Sequence, residues 1–311
     1  MKESNFVNVV VSTIQEKDKL HYKKISKNLK EIKLLYPEEY NELSGLLISY
    51  FKDLKVKPEL VAEHYLLMIN DMRLEGIKFK RTGQYSCANQ QEAFEKVYSN
   101  KKIMNYYMNG LLLSQILWLH HFRMLIYFKK MLALPILQSV EKVLDIGPGH
   151  GFFSFLVLKE LKALKDIEIV DISEESLSMT KSIIGDGAGK ITYYRKDIYD
   201  FSSTSKYDLV ILGEVLEHLD DPKQILTKLR TLLSEEGFLW ITTPTNAPAL
   251  DHIYLFNNKE EIVELLEESN LYIIENFGCY AEEIDEALAK RFKISYLYGA
   301  LLKSDKARYD A

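Results

Sequence analysis

A chain of 311 residues with 47% apolar side chains has enough material for one large domain, or one domain with an appendage, and is not globally disordered. Its net charge of −5 hides an asymmetry: residues 1–140 carry 21 basic against 14 acidic side chains, and residues 141–311 carry 19 against 31. Its two cysteines, Cys87 and Cys279, are far apart, have no metal-ligand spacing and fit a reducing compartment.

Residues 1–140 read as helical throughout. Leu20, Ile25, Leu29, Ile32 and Leu35 recur at helical spacing, and the lysines between them suit a solvated face. Pro37 breaks that helix and opens the next. Pro58 and Gly76 bracket another helix, and residues 78–88, with Thr82-Gly83, read as a loop. One long apolar helix then runs to about Leu134, before Pro135. Its stretch from Ile103 to Leu134 holds Asn105, Asn109, Gln115, His120, His121 and Arg123, too many polar groups for a lipid-facing span. The first residues lack a signal-peptide cleavage pattern, so the expectation is a soluble, cytoplasmic protein without a membrane partner.

From Glu141 onward strands and helices alternate. Strands are predicted at 141–146, 167–171, 190–195, 207–212 and 237–243, with helices at 152–164, 174–184, 222–233 and 259–269. Two further strands, Leu271 to Phe277 and Phe292 to Leu302, flank an acidic segment at 281–290 and suggest an antiparallel closing pair. The pattern implies an α/β fold with a mostly parallel sheet and helices on both faces.

Ligands of such sheets bind beyond the carboxyl ends of the strands. The first end is Val143-Leu-Asp145-Ile-Gly147-Pro-Gly149-His-Gly151, where closely spaced glycines let backbone approach a ligand. The second is Asp171-Ile172, whose carboxylate can accept both hydroxyls of a ribose. At the third, either Asp197 accepts from an adenine amino group while Ile198 packs on the ring, or the stretch is a plain surface turn. The fourth is Gly213-Glu214-Val-Leu-Glu217-His218.

Together with Thr242-Thr-Pro-Thr-Asn246, these stretches resemble the class I S-adenosylmethionine-dependent methyltransferases, in particular the branch of ubiquinone-biosynthesis and natural-product small-molecule methyltransferases. The resemblance covers roughly residues 141–280 and divides the chain into a helical region, 1–138, and a methyltransferase domain, 139–311. It implies a Rossmann-like seven-stranded sheet of order 3-2-1-4-5-7-6, with only strand seven antiparallel. It also implies that Asp145 and the Gly147, Gly149 and Gly151 loop hold the methionine end of S-adenosyl-L-methionine. Asp171 would then take the ribose diol, Asp197 and Ile198 the adenine, and the backbone of Gly213 and Glu214 the methionine amino group, with Ile172 a further cofactor contact.

The activity so implied is methyl transfer to a small molecule, with a hydroxyl oxygen as acceptor. His252, in the segment after strand five, is the first candidate for the base. His218, expected to start the helix after strand four and to be oriented by Glu214, is its rival. Tyr106, Tyr107, His121 and Asn246 are candidate substrate contacts, and no metal-ligand set is read from the sequence. Residues 1–138 are expected to act as a lid, a substrate wall or a dimerisation surface. Two other readings stay open: an RNA methyltransferase using the basic N-terminal half, and a non-catalytic cofactor-binding module. Whether the lysines at 17–33 face the cofactor mouth separates the first of these from a small-molecule enzyme.

Overall fold

The computed structural model describes residues 3–185 and 190–304. Four helices open the chain: α1 (Glu3–Lys17), α2 (Lys19–Leu35), α3 (Pro37–Asp53) and α4 (Pro58–Thr82). Asp18 starts α2 by accepting from the His21 N–H at 2.9 Å, and prolines occupy the first turns of α3 and α4. Helix α4 does not stop at Gly76 as expected; it continues to Thr82, so residues 78–82 are not loop, and Gly83 in the left-handed conformation (φ +73°) ends it. One interior glycine costs about 1 kcal/mol relative to alanine. Burial of Phe79 beyond it outweighs that cost.

The single long helix expected before Pro135 is three pieces. Helix α5 (Gln90–Ala93) runs into a π-helical turn at Phe94–Tyr98. Asn100 then caps α6 (Lys101–Leu117), accepting from the N–H groups of Lys102 (3.1 Å) and Ile103 (3.2 Å). A second break at Trp118, whose backbone is extended, bends α6 by 74° from α7 (Leu119–Leu132). The Trp118 indole N–H donates to the Tyr65 hydroxyl at 2.7 Å, an anchor on another helix that the local apolar pattern does not contain. Among the described residues no single helix is long and apolar enough to cross a membrane.

The sheet has seven strands in the order β3-β2-β1-β4-β5-β7-β6, as expected, with β7 antiparallel to both neighbours. They are β1 (Lys142–Ile146), β2 (Asp166–Asp171), β3 (Lys190–Arg195), β4 (Tyr207–Gly213), β5 (Leu233–Thr245), β6 (Tyr272–Tyr280) and β7 (Tyr296–Lys303). Between them lie α8 (Phe152–Glu160), α9 (Glu174–Ile184), α10 (Pro222–Leu232), α11 (Lys259–Glu268) and a short α12 (Glu286–Arg291). The last strand thus starts at Tyr296 rather than Phe292, because Asp285 caps α12 inside the acidic segment.

Side chains alternate between the two faces of the sheet, as strand geometry requires. Leu144, Val210, Leu212, Leu239 and Ile241 face α10 and α11. Val143, Ile167, Leu209, Ile211 and Trp240 face the other way, into a core continuous with that of the N-terminal helices. Phe128 of α7 closes this junction, with its ring 4.8 Å from that of Phe153 and 5.1 Å from that of Trp240. Burial of each such side chain contributes about 1.5–3 kcal/mol.

Candidate active site at the carboxyl edge of the sheet

The strand ends and the helical region enclose one large cavity of about 1300 Å³. Its floor is the loop after β1. Gly147 and Gly151 have φ of +63° and +76°, and a Cβ on Gly151 would lie 2.9 Å from the Thr180 backbone, so only glycine fits that turn into α8. Gly147 and Gly149 line the cavity, whereas Gly151 does not, being turned to α9. His150 also lines it, and its Nδ1 accepts from the Phe152 N–H while burial pushes its pKa down to about 4.

Asp145 is not on the cavity wall. It lies beneath the loop, where Ser154 donates to Oδ2, and burial pushes its pKa up to about 7. Asp171 does line the cavity. Its oxygens accept from the Ser173 N–H (2.8 Å) and the Ser176 hydroxyl (2.5 Å), and each keeps lone-pair capacity for a ligand. Burial, more than any neighbour, raises its pKa to about 6. Ile172, Asp197, Ile198 and Gly213 complete this side, with Asp197 accepting from the Tyr199 N–H at 2.8 Å.

Two non-glycine residues at the strand ends occupy the left-handed region, Glu214 (φ +55°) after β4 and Asn246 (φ +48°) after β5. Such conformations cost about 1–3 kcal/mol and persist only where surrounding contacts impose them. Here the Glu214 N–H donates to the Thr242 carbonyl (2.9 Å), and the Asn246 N–H donates to that of Phe256 (3.0 Å). Both side chains reach the cavity, and Glu214 Oε1 and Asn246 Oδ1 are buried without a hydrogen-bond partner.

A dense polar cluster stands between these ends and the helical region. Glu217 is fully buried. Its Oε2 accepts from the Thr243 hydroxyl at 2.8 Å, Oε1 has no hydrogen-bond partner and lies 4.0 Å from His218 Nε2, and burial next to Glu214 drives its pKa well up. His218 does not start a helix; it ends a 3-10 turn, Leu216–His218, and α10 begins only at Pro222. Asp251, not Glu214, orients it, with His218 Nδ1 3.1 Å from the Asp251 carbonyl and 3.6 Å from Oδ2. The His252 ring meets that of His218 edge-on at 4.8 Å. Its Nδ1 is buried without a partner, and burial followed by the charge of His218 pushes its pKa down to about 3.

The helical region supplies the other wall. Tyr98 donates to Asp251 Oδ2 (2.9 Å) and Tyr107 to Oδ1 (3.1 Å). Burial alone would raise the Asp251 pKa, but both imidazoles and both hydroxyls together hold it below the usual range. Tyr85 accepts from the Ala247 N–H at 2.9 Å. His121, Trp118, Tyr107 and Asn246 line the cavity, whereas Tyr106 does not; its hydroxyl donates to Asp71 at 2.5 Å. Lys17, Lys24 and Lys27 pair with Glu63, Glu282 and Glu283 of the chain itself, and of the three only Lys24 borders the cavity.

The residues the sequence left unassigned are Asp251 as the central acceptor, Glu217 as a buried carboxyl, and Tyr85 and Tyr98. The oxygens and nitrogens of Glu217, His218 and His252 come within 4.8 Å of one another, close enough to share one cation. Nothing in the sequence joins His252 to the other two, since the loop after β5 brings it there.

Comparison with known proteins agrees with this layout. A methyltransferase domain family model matches residues 119–276. The ubiquinone biosynthesis O-methyltransferase of Glaesserella parasuis is 29% identical over 133 residues, 40% of this chain and 54% of that protein. The malonyl-[acyl-carrier protein] O-methyltransferase 1 of Ilyobacter polytropus is 22% identical over 160 residues, 47% of this chain and 59% of that one. The chain therefore spans about half the length of the curated relatives it matches. The structure of an O-methyltransferase family protein from Burkholderia thailandensis shares the fold at 16% identity, with a TM-score of 0.50 over 77% of this chain and 70% of that one.

Proposed function

The chain belongs to the class I S-adenosylmethionine-dependent methyltransferases, and from that premise we propose that it methylates a hydroxyl oxygen of a small molecule held in this cavity. The observation that carries the reading is the convergence on one cavity of the glycine loop, Asp171 and the His218–Asp251–His252 cluster. The residues fit the cofactor: the glycine turn leaves room for a close backbone approach, and the half-satisfied Asp171 carboxyl suits a ribose diol. Ile172, Asp197 and Ile198 would flank the adenine, and Gly149, Gly213 and Glu214 the methionine end, while Asp145 would act from beneath by fixing the loop.

When bound, the cofactor supplies an activated methyl group and its own leaving group. The chain aligns the acceptor and excludes water, which accounts for much of the rate in such transfers. As the acceptor hydroxyl took up the methyl group, its proton would pass to an imidazole. His252 is uncharged at neutral pH, with a free Nδ1 lone pair; His218, its Nδ1 turned to the Asp251 carbonyl, leaves Nε2 to accept. Tyr107, His121 and Asn246 stand where an acceptor would contact them.

A second reading is favoured by Glu217 Oε1 and His252 Nδ1, both buried without a hydrogen-bond partner. Glu217 and the imidazoles of His218 and His252 could hold a divalent cation, which would acidify an acceptor hydroxyl. Transfer of labelled methyl to a panel of small phenols, sugars, amines and bulk RNA decides the main reading. Transfer confined to RNA, or to amines, would overturn it. The same assay after chelation, with magnesium, manganese or zinc added back, separates an imidazole base from a metal-assisted one.

A further inference from the structure

The cavity is larger than the roughly 300–1000 Å³ of ordinary ligand sites, and the residues named for the cofactor account only for its floor. Beyond them the wall is apolar and adaptable: Ile69, Met72 and Phe79 of α4, and Met104, Met108 and Leu111 of α6. Asp171, Glu214, Glu217 and Asp251 line the cavity at the strand ends, with Lys196 beside them, whereas most of the basic side chains gather where α4 meets the end of α12 and the segment after it.

Of those basic groups, Lys24 and Arg73 are neutralised by Glu282 and Asp18. Lys80, Arg291 and Lys293 have no ion pair among the described residues, although they come from two separate parts of the chain. The Lys293 ammonium lies 5.9 Å from the Phe79 ring centre and the Arg291 guanidinium 5.5 Å from that of Phe292, so the cations rest on apolar surface at the cavity edge. Phe292 and Leu20, both largely exposed, border the same cavity.

We propose that the acceptor is an acidic amphiphile, with its apolar body along α4 and α6, its carboxylate or phosphate at Lys80, Arg291 and Lys293, and its nucleophile turned inward to the strand ends. This rests on the methyltransferase reading of the same cavity. The Asp171 and Asp251 carboxylates at the strand ends favour this orientation, because an anionic head placed beside them would meet like charge.

The test is calorimetry on the full chain with decanoate, decyl phosphate, decanol and decylamine, each below its micelle threshold, with and without S-adenosylhomocysteine. Decanoate or decyl phosphate should bind at least about tenfold tighter than decanol and decylamine, and the tighter of the two acids names the head group. The Lys80→Gln/Arg291→Gln/Lys293→Gln variant should lose that advantage while keeping its decanol and S-adenosylhomocysteine affinities. Should that variant fold poorly, the wild type still decides. Its preference for the acid should shrink as ionic strength rises from about 0.05 to 0.5 M. Equal binding of acid and alcohol, tighter binding of decylamine, or a salt-independent preference would overturn the proposal. Failure of S-adenosylhomocysteine to bind would instead overturn the methyltransferase reading, since the head-group comparison runs without it.

Discussion

At Asp171 burial and ligand binding pull in opposite directions. Burial favours the neutral carboxyl and raises its pKa to about 6, whereas a ribose diol is best accepted by the ionised form. The sign follows directly. In the free protein, ionising this group costs stability as pH rises from its ordinary 3.8 towards about 6, and a bound diol offsets that cost. S-adenosylhomocysteine affinity should therefore hold above pH 7 and fall as pH is lowered through about 6, by up to about tenfold per unit. Calorimetry from pH 5 to 8 checks this, and a flat profile would remove Asp171 from the ribose site. Asp171→Ala should cost about 1.5–3 kcal/mol of cofactor affinity, roughly ten- to a hundredfold. His252→Ala should lower the transfer rate by about 10²- to 10⁴-fold with S-adenosylhomocysteine affinity kept. If His218→Ala alone has that effect, the base is His218.

Two connections between elements hold the site in shape. The first is the turn from β1 into α8, where Gly151 needs a positive φ and faces the Thr180 backbone. Gly151→Ala should cost about 1–2 kcal/mol for the conformation, and a further 1–3 kcal/mol for the overlap with α9. A drop in the urea midpoint together with lost S-adenosylhomocysteine binding is the expected result. The second runs from the α5–α6 segment to the loop after β5, through the Tyr98 and Tyr107 hydroxyls on Asp251. Removing either leaves a buried charge short of a donor, so Tyr98→Phe and Tyr107→Phe should each destabilise by about 1.5–3 kcal/mol. Thermal melting of the two variants tests it, and unchanged melting would mean that water or a neighbour replaces the hydroxyl.

For the whole molecule, the helices of residues 1–138 and one face of the sheet share a single apolar core. Phe128 contacts Phe153 and Trp240, and the matched family model already begins at residue 119, inside α7. A chain shortened to start at Ser139 would uncover that face, so it should aggregate or lose cooperative unfolding rather than behave as a smaller enzyme. Gel filtration and a denaturant titration check this. A monomeric, cooperatively folding product would make residues 1–138 a detachable lid.

The strands and the floor of the site were legible in the sequence because they depend on short-range features, while the sheet order followed from the family resemblance that those features carry. Short apolar runs alternating with helical stretches give the strands, and glycines 147, 149 and 151 mark the turn that follows β1. Asp171 and Glu214 are recognisable because each stands directly at the end of a strand. The opposite wall was not legible, because its contacts join residues far apart in the chain. Tyr98 and Asp251 are 153 positions apart, and neither lies in a local pattern that implies the other. The bend at Trp118 escaped for a related reason: Trp118 is anchored to the hydroxyl of Tyr65 on another helix, while the apolar periodicity continues across the break. His218 was assigned to Glu214 on helical spacing, but a 3-10 turn and the returning loop after β5 gave it to Asp251. Local chemistry thus determined the strands and the glycine loop, and the resemblance they carry implied the strand order. Only packing of the helical region onto the strand ends decided which polar groups face one another across the cavity.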